Sequence, residues 1–232
     1  MGVQENRAAL SARPGGPPGP APAGPGTHRL GVETRRDSVL CVPSSAGAGQ
    51  PMPLLVALHG AGGLPDGSMP MLQAVADQYA VAVLVPQSRE STWDGIRHGY
   101  GPDVDVVDRS LHRALEAVRV DPARLGVVGF SDGASYALGL GLANGDLFSH
   151  VIAFSPGFVP FAARVGEPRV FVAHGVADRV LPIDRTARRV VPALRRDGYD
   201  VTSVEFDGGH TVPLDIALRA GQWLGWSTPP GG

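Results

Sequence analysis

The chain has 232 residues, a formal net charge of −2 and a single cysteine, Cys41. This length fits one domain with a substantial buried core, and the near-neutral charge gives no reason to expect nucleic acid or an anionic membrane as a partner. No apolar run approaches the roughly 18 residues of a transmembrane helix, and one cysteine cannot form a disulfide within the chain.

The two ends of the chain differ in composition from the part between them. Residues 1–10 lack the basic start and apolar stretch of a secretory signal, so we expect a cytoplasmic protein. The stretch "RPGGPPGPAPAGPG" that follows has no apolar face to bury. We therefore predict a disordered segment over residues 1–27, a folded domain over 28–227 and a flexible tail over 228–232.

The first half of the folded part alternates apolar and amphipathic runs, which predicts three strands and two helices. Asp37–Pro43 is an early strand, and we place it at a sheet edge because a proline closes it. Pro53–Gly60 is continuously apolar, as in a strand that is covered on both faces of a parallel sheet. A helix near Met69–Tyr79, the strand Val81–Pro86 and a helix near Val104–Val118 follow.

The second half continues the alternation. Its predicted elements are the strand Leu125–Phe130, the helix Ala134–Ala143, the strands Val151–Pro156 and Arg169–Gly175, the helix Arg185–Arg196, the strand Val201–Phe206 and the helix Pro213–Trp223. Strands that alternate with helices predict an α/β fold, a mostly parallel sheet with helices on both faces. Function gathers at the carboxyl ends of the strands in such sheets, so the residues directly after each strand are the candidates.

The stretch "VVGFSDGASYAL" joins a predicted strand to a predicted helix through a serine that has a glycine two positions to either side. A strand–serine–helix turn of the G-x-S-x-G type needs Gly129 and Gly133 to be small, because the strand and the helix close up around Ser131. The turn exposes the serine hydroxyl and directs the N–H of Asp132 toward an anion site at the helix start. An ordinary glycine turn remains the alternative when the pentapeptide is taken alone.

The stretch "HGAGG", His59–Gly63, follows the strand before it directly. A loop without bulky side chains can direct a second N–H at the same point as that of Asp132, which would complete an oxyanion hole. We predict Ala61 as this donor, with Gly62 as the next choice and a flexible glycine turn as the alternative. His59 precedes the serine, where the base of such a site is not expected, so we assign it a structural hydrogen bond.

An acid and a base follow the last two strands. Asp178 comes just after one strand and His210 just after the other, which gives the chain order of serine, acid and histidine required in this kind of hydrolase. The rival acids are Asp184, which we expect to cap the following helix, and Asp207, which we expect in the same turn as the histidine. Four elements in the required order are far rarer by chance than any one of them, so Ser131 is predicted as a nucleophile.

Four stretches together carry a resemblance to a known family: "LHGAGG", "GFSDGASYALGLGL", "HGVADRVLP" and "GGH". They resemble the phospholipase/carboxylesterase group of α/β-hydrolases, which includes acyl-protein thioesterases, and the related polyhydroxybutyrate-depolymerase-like esterases. The resemblance covers roughly Arg29 to Trp223.

The resemblance implies an α/β-hydrolase fold with Ser131 as nucleophile, Asp178 as acid and His210 as base. It also implies that the N–H groups of Ala61 and Asp132 form the oxyanion hole. One departure is that thioesterases of the group usually have glutamine after the serine. The aspartate that stands here keeps the backbone donor, and we expect its carboxylate to disfavour anionic substrates.

The connection Ser155–Pro168 is too short for a helical lid, so we predict an open cleft with minimal or no lid, suited to small or exposed esters. Trp93, Phe158, Val180 and Leu181 lie in predicted loops at the active edge and are the candidate substrate-binding residues. Ordinary packing beneath the loops is the alternative.

The sequence therefore predicts a serine hydrolase that cleaves carboxylic esters with short- to medium-chain acyl groups through an acyl-enzyme intermediate. A peptidase, amidase or thioesterase on the same triad is an alternative, as is a ligand-binding protein that retains the fold without catalysis. The expected partner is a small-molecule ester, with no nucleic acid and no membrane, and a homodimer is possible. No metal or organic cofactor is expected.

Overall fold

The computed structural model describes residues 7–15, 23–45, 50–63, 77 and 79–226. Their centre is an eight-stranded sheet in the order β1-β2-β4-β3-β5-β6-β7-β8. The strands are β1 (Gly26–Arg29), β2 (Val39–Val42), β3 (Met52–Leu58), β4 (Ala82–Val85), β5 (Val120–Phe130), β6 (His150–Phe154), β7 (Arg169–Gly175) and β8 (Val201–Phe206).

The sheet is mostly parallel, as predicted. β1 and β2 pair antiparallel, β2 pairs antiparallel with β4, and all later pairs are parallel. The helices are α1 (Asp94–Arg97), α2 (Pro102–Ala117), α3 (Asp132–Ala143), α4 (Ala187–Arg196) and α5 (Leu214–Leu224). Among the described residues, no helix has both the length and the apolar character that crossing a membrane requires.

Alternate residues of the central strands feed two separate hydrophobic cores. In β3, Leu54 and Val56 pack on the face that carries α2, α3 and α4, whereas Leu55 and Ala57 pack on the face that carries α5. Both faces of the sheet are therefore covered, which explains why β3 is apolar throughout.

Two predictions in the first half of the domain differ from the structure. β2 is not at the edge, because β1 pairs with its outer side. The short helix α1 lies in a stretch that we predicted as a loop. The predicted helix near Met69–Tyr79 falls almost wholly outside the described residues.

The prediction that residues 1–27 are disordered is wrong for residues 7–15. Ala8, Leu10 and Ala12 are buried in the core that includes α2 and α3. The alternation of buried and exposed side chains along this segment is that of an extended chain with one face against the domain. The three small or apolar side chains at alternate positions were overlooked because the sequence that follows them is rich in Pro and Gly.

Two polar side chains of the domain bind the backbone of this segment. Asn144 accepts a hydrogen bond from the N–H of Leu10 (2.8 Å) and donates one to the carbonyl of Ala8 (2.7 Å). Asp108 accepts a hydrogen bond from the N–H of Ala12 at 2.9 Å. These bonds replace those that a neighbouring strand would give, so the segment packs without joining the sheet. The rest of the predicted segment, apart from residues 23–27, and the predicted tail 228–232 lie outside the described residues.

Candidate active site

Ser131 lies at the turn between β5 and α3. Its φ of 57° and ψ of −120° are unusual for a residue with a side chain, and such strain persists only where the surroundings enforce it. The N–H of Ser131 donates to the carbonyl of Phe154, so the β5–β6 pairing fixes the turn from one side. The conformation is that of the strand–serine–helix turn which the sequence predicted.

The two glycines of the motif are required by close backbone contacts. A Cβ on Gly129 would lie 2.1 Å from the carbonyl oxygen of Gly133, and a Cβ on Gly133 would lie 2.1 Å from that of Leu58. Neither distance is compatible with a side chain. The glycines therefore allow α3 to start directly against the ends of β3 and β5.

The structure brings the three predicted triad residues together. His210 Nε2 lies 2.8 Å from Ser131 Oγ, and His210 Nδ1 lies 2.7 Å from Asp178 Oδ2. Both distances are those of hydrogen bonds. Since the carboxylate can only accept, Nδ1 carries a proton, and Nε2 faces the serine hydroxyl.

Asp178 is buried and firmly held. Its Oδ1 accepts hydrogen bonds from the N–H groups of Val180 (2.9 Å) and Leu181 (2.8 Å). Burial raises the pKa of Asp178, but the bonds from the Leu181 N–H and from His210 outweigh it and hold the pKa below its ordinary value. The acid is therefore charged and fixed in orientation beside the imidazole.

The two rival acids do not occupy this position. Asp184 is exposed and pairs with Arg188 at 2.7 Å, and it makes no capping hydrogen bond, contrary to our prediction for it. Asp207 has no contact with His210 among the hydrogen bonds of the described residues.

A second histidine, His174, lies on the other side of Asp178. Its Nε2 is 3.2 Å from Asp178 Oδ2 and 2.8 Å from the carbonyl of Leu181, and its side chain is fully buried. Burial lowers the pKa of His174, which keeps the ring neutral. This residue is not among the site candidates that the sequence predicted. Its position at the carboxyl end of β7, four residues before the acid, is the signal that could have placed it here.

Two backbone N–H groups beside Ser131 have no hydrogen-bond acceptor among the described residues. They belong to Ala61 and Asp132, whereas the N–H of Gly62, our second choice, donates to the carbonyl of Ser91. The loop lies against the serine, because a Cβ on Gly60 would be 3.4 Å from Ser131 Cβ. Ala61 and Asp132 thus offer the open donors that an oxyanion hole needs.

His59 has a structural place. Its buried ring donates from Nδ1 to the carbonyl of Gly60 (2.8 Å) and accepts at Nε2 from the N–H of Ser88 (3.2 Å). Burial lowers the pKa of His59 and favours this neutral form. The ring therefore joins the loop after β3 to the loop after β4.

Trp93 does not line a cleft, and our prediction that it binds substrate is wrong. Its side chain is fully buried, stacks on Tyr136 at 5.0 Å and donates from Nε1 to the carbonyl of His59 at 2.8 Å. The preceding residue, Thr92, donates to Asp132 Oδ2 at 2.6 Å. These two contacts tie the loop after β4 to the start of the His59–Gly63 loop and to the side chain of Asp132, which sequence spacing did not reveal.

Two aspartates stabilise the end of the loop after β4 through reciprocal hydrogen bonds. Asp103 accepts a hydrogen bond from the N–H of Asp94, and Asp94 accepts one from the N–H of Asp103, each at 2.8 Å. Each carboxylate thus binds a free N–H at the start of the other's helix. Burial raises the pKa of Asp103, while the backbone donors oppose that rise.

The remaining predicted substrate-binding residues lie at the surface. Phe158 and Val180 are exposed, and Leu181 is half-buried against Gly157. The connection between β6 and β7, residues 155–168, forms no helix, which agrees with the predicted minimal lid.

The sheet order, the turn at Ser131 and the positions of the three polar residues after β5, β7 and β8 are those of the α/β-hydrolase fold, as the sequence predicted. No family model matches the chain. It is 27% identical over 168 residues to the probable feruloyl esterase C of Aspergillus oryzae, covering 68% of this chain and 60% of that protein. It is 28% identical over 177 residues to the putative esterase NocK of Nocardia uniformis, covering 71% and 52%. The chain thus spans only about half to three-fifths of these relatives.

Solved structures agree on the fold. Esterase PE8 superposes with a TM-score of 0.60 at 25% identity, covering 80% of this chain and 95% of that one. A phospholipase/carboxylesterase from Dyadobacter fermentans gives 0.62 at 20% identity, with 81% and 95% covered. The s-formylglutathione hydrolase of Staphylococcus aureus gives 0.66 at 14% identity, with 81% and 92% covered. The suspected resemblance to esterases of this fold is confirmed.

Proposed function

We propose that the protein hydrolyses carboxylic esters by two-step acyl transfer through Ser131, His210 and Asp178. The observation that carries this proposal is the unbroken chain of hydrogen bonds from Ser131 Oγ through the imidazole to a buried carboxylate, at 2.8 and 2.7 Å. The resemblance to proteins named esterases supports the same chemistry.

In the first step, Ser131 Oγ attacks the ester carbonyl carbon while His210 Nε2 takes the hydroxyl proton. Asp178 keeps the proton of the imidazole on Nδ1 and stabilises the imidazolium that forms. The C–O bond to the alcohol then breaks, the alcohol leaves with the proton from Nε2, and the acyl group stays on the serine. In the second step, water repeats the attack with the same base and releases the acid.

The negative oxygen of each tetrahedral intermediate accepts hydrogen bonds from the N–H groups of Ala61 and Asp132. Each such donor contributes about 10²–10³ to the rate of comparable hydrolases. The contacts of Thr92 with Asp132 and of Trp93 with His59 hold these donors in place before substrate arrives.

The site favours esters with short- to medium-chain acyl groups. The β6–β7 connection gives no helical cover, and Phe158, Val180 and Leu181 offer a shallow apolar surface beside the acid loop. A surface of this kind suits a small acyl group better than a long chain that needs an enclosed tunnel. Because one relative is named a feruloyl esterase, a hydroxycinnamate ester belongs in the test set.

The test is a p-nitrophenyl ester series from acetate to palmitate, with methyl ferulate, on wild type and Ser131→Ala. We expect turnover to be highest for the shorter acyl groups and to vanish in the variant. A fluorophosphonate probe is expected to add once to wild type and not at all to Ser131→Ala. The control variant is Ser203→Ala, which removes an exposed serine of β8 and leaves labelling intact. Turnover or labelling that survives in Ser131→Ala would contradict the proposal.

A further inference from the structure

A cleft of about 480 Å³ opens between the segment before β2 and the segment after β4. We call it the basic cleft, and its lining includes Glu33, Arg35, Arg36, Gln87, Ser88 and Arg89. Its volume lies in the range of small-molecule sites. Neither the triad nor the candidate oxyanion hole uses any of these residues.

The basic cleft lies at the same edge of the sheet as Ser131. Because β2 runs antiparallel to β4, the residues before Val39 and those after Val85 share one edge. In the sheet order β4 is two strands from β5, and neighbouring strands are about 4.8 Å apart, so the near wall of the cleft, after β4, lies about 10 Å from Ser131 along that edge. The ring of His59, bound to Ser88, stands between them.

Positive charge dominates the basic cleft. Three guanidinium groups face one carboxylate, that of Glu33, which is already bound by Arg109 outside the cleft. Arg36 is fixed, because it donates to the carbonyls of Ser88 and Glu90. Arg35 forms no ion pair with any described residue. The ion pair between Arg89 and Glu33 is long, at 3.6 Å. At least one of the three arginines is thus free to bind an anion.

A buried glutamine, Gln87, lies beside these arginines. Gln87 is 1% exposed and lines the basic cleft, and its Nε2 donates to the carbonyl of Gly63 at 3.0 Å. Its Oε1 has no donor among the described residues. Since buried amide oxygens are normally bonded, this atom is an unmet acceptor beside the basic cleft.

The charge at Ser131 itself is of the opposite sign. The carboxylate of Asp132 is held beside the serine by Thr92. An anion close to the reacting carbonyl would be repelled there, whereas an anion about 10 Å away would meet the arginines. The two charges together select the distance between the ester and the anionic group.

We propose that the basic cleft binds a carboxylate or phosphate on the alcohol part of the substrate. The inference rests on the proposed ester hydrolysis at Ser131. The alcohol part is assigned because the exposed apolar residues Phe158 and Val180 follow β6 and β7, on the opposite side of β5 from β4. An acyl group on that side directs the alcohol toward the arginines.

The test compares butyrate esters that differ only in the alcohol. The anionic substrates are the esters of 8-hydroxyoctanoate and of 6-hydroxyhexyl phosphate, whose extended chains span the distance to the cleft, and the neutral counterpart is the 8-hydroxyoctanamide ester. We expect wild type to prefer at least one anionic ester about tenfold in kcat/KM, mainly through a lower KM, and to lose the preference at high salt. The anionic ester with the higher kcat/KM shows whether the basic cleft prefers a carboxylate or a phosphate. The short glycolate ester, whose anion falls near Asp132, is expected to be the poorest.

The variants are Arg35→Gln and Arg89→Gln, and their matched control is Arg113→Gln, an exposed arginine of α2 outside the cleft. We expect each cleft variant to lower kcat/KM for the preferred anionic ester about tenfold and that for the neutral ester by less than about twofold. Equal losses for both esters, or no preference in wild type, would overturn the inference.

The outcome is separable from that of the proposed function. If p-nitrophenyl butyrate is cleaved but the anionic preference is absent, only the basic cleft is wrong. If no ester is cleaved, calorimetry of free 8-hydroxyoctanoate and 6-hydroxyhexyl phosphate with wild type and Arg35→Gln decides. Binding of either that the variant weakens about tenfold supports an anion site, and failure of both to bind overturns it.

Discussion

Two histidines at opposite ends of the sheet show how differently the same side chain is used. His210, at the carboxyl end, has a partner on each nitrogen, Ser131 and Asp178. His150, at the amino end of β6, is buried between Trp223 and Trp226, each at 5.1 Å. Its Nε2 has no partner among the described residues.

The difference between the two histidines lies in the hydrogen-bond partners of their ring nitrogens. Burial, with the charge of Arg169 as a smaller cause, lowers the pKa of His150 to about 4, so this ring is a neutral aromatic at physiological pH. The ring of His210 also contacts an aromatic neighbour, Phe130 at 4.8 Å, yet its nitrogens are both engaged. The imidazole at the carboxyl end is thus held by hydrogen bonds on both nitrogens, and the one at the amino end is held between indole rings.

The largest expected effect breaks the chain of partners at the carboxyl end. Asp178→Asn keeps the shape of the side chain but removes the charge that fixes the imidazole, and we expect kcat to fall about 10⁴-fold. Steady-state kinetics with p-nitrophenyl butyrate measures this. The free energy of unfolding, measured in urea, serves as the control that the variant is folded. A loss below about tenfold would contradict the assigned role.

The next effect tests the packing on which the serine turn depends. Gly133→Ala places a methyl group against the carbonyl of Leu58, and we expect a loss of more than about 3 kcal/mol in the free energy of unfolding. The matched control is Gly209→Ala, whose new Cβ would meet nothing closer than Ala177 O at 4.0 Å. Equal stability of the two variants in urea would contradict the steric argument.

The amino end is tested by its pH dependence. The folded-state pKa of His150, about 4, is below the unfolded value of about 6.5. The unfolded state therefore binds a proton first as the pH falls, and stability is lost between about pH 6.5 and 4 by about 3 kcal/mol. His150→Phe removes the titration and keeps the ring. Urea unfolding from pH 7 to 4 is expected to show a flatter profile for this variant, and parallel profiles would disprove the assignment.

The smallest effect concerns the contact that sets one oxyanion donor. Thr92→Val removes the hydrogen bond to Asp132, and we expect kcat to fall about tenfold with little change in KM. Thr92→Ser retains the hydroxyl and is expected to restore most of the rate. A Thr92→Val variant that keeps the kcat of wild type would contradict the role of this hydrogen bond.

The sequence was sufficient for the strands β2 to β8 and for the convergence of the three candidate site residues, because their signals are local. β7 and β8 begin and end at the predicted residues, because polar turns bound each of these short strands in the sequence. Ser131, Asp178 and His210 each lie within four residues of the end of a strand, and parallel strands bring such positions to one edge.

Signals that depend on distant side chains were missed. Trp93 reads as a loop residue, and only the fold shows that its indole lies beneath the loop after β3. β1 was missed because four residues with little apolar character become a strand only by pairing with β2. His174 and Thr92 likewise gain their contacts from residues that are not part of their own motifs.

The segment of residues 7–15 carries a consequence for anyone who redesigns this protein. Removing residues 1–27, so that the chain begins where the composition becomes ordinary, would expose the apolar side chains of α2 and α3 that Ala8, Leu10 and Ala12 cover. The amide of Asn144 and the carboxylate of Asp108 would lose their backbone partners at the same time. Affinity tags and fusion partners are better joined ahead of this segment than in place of it.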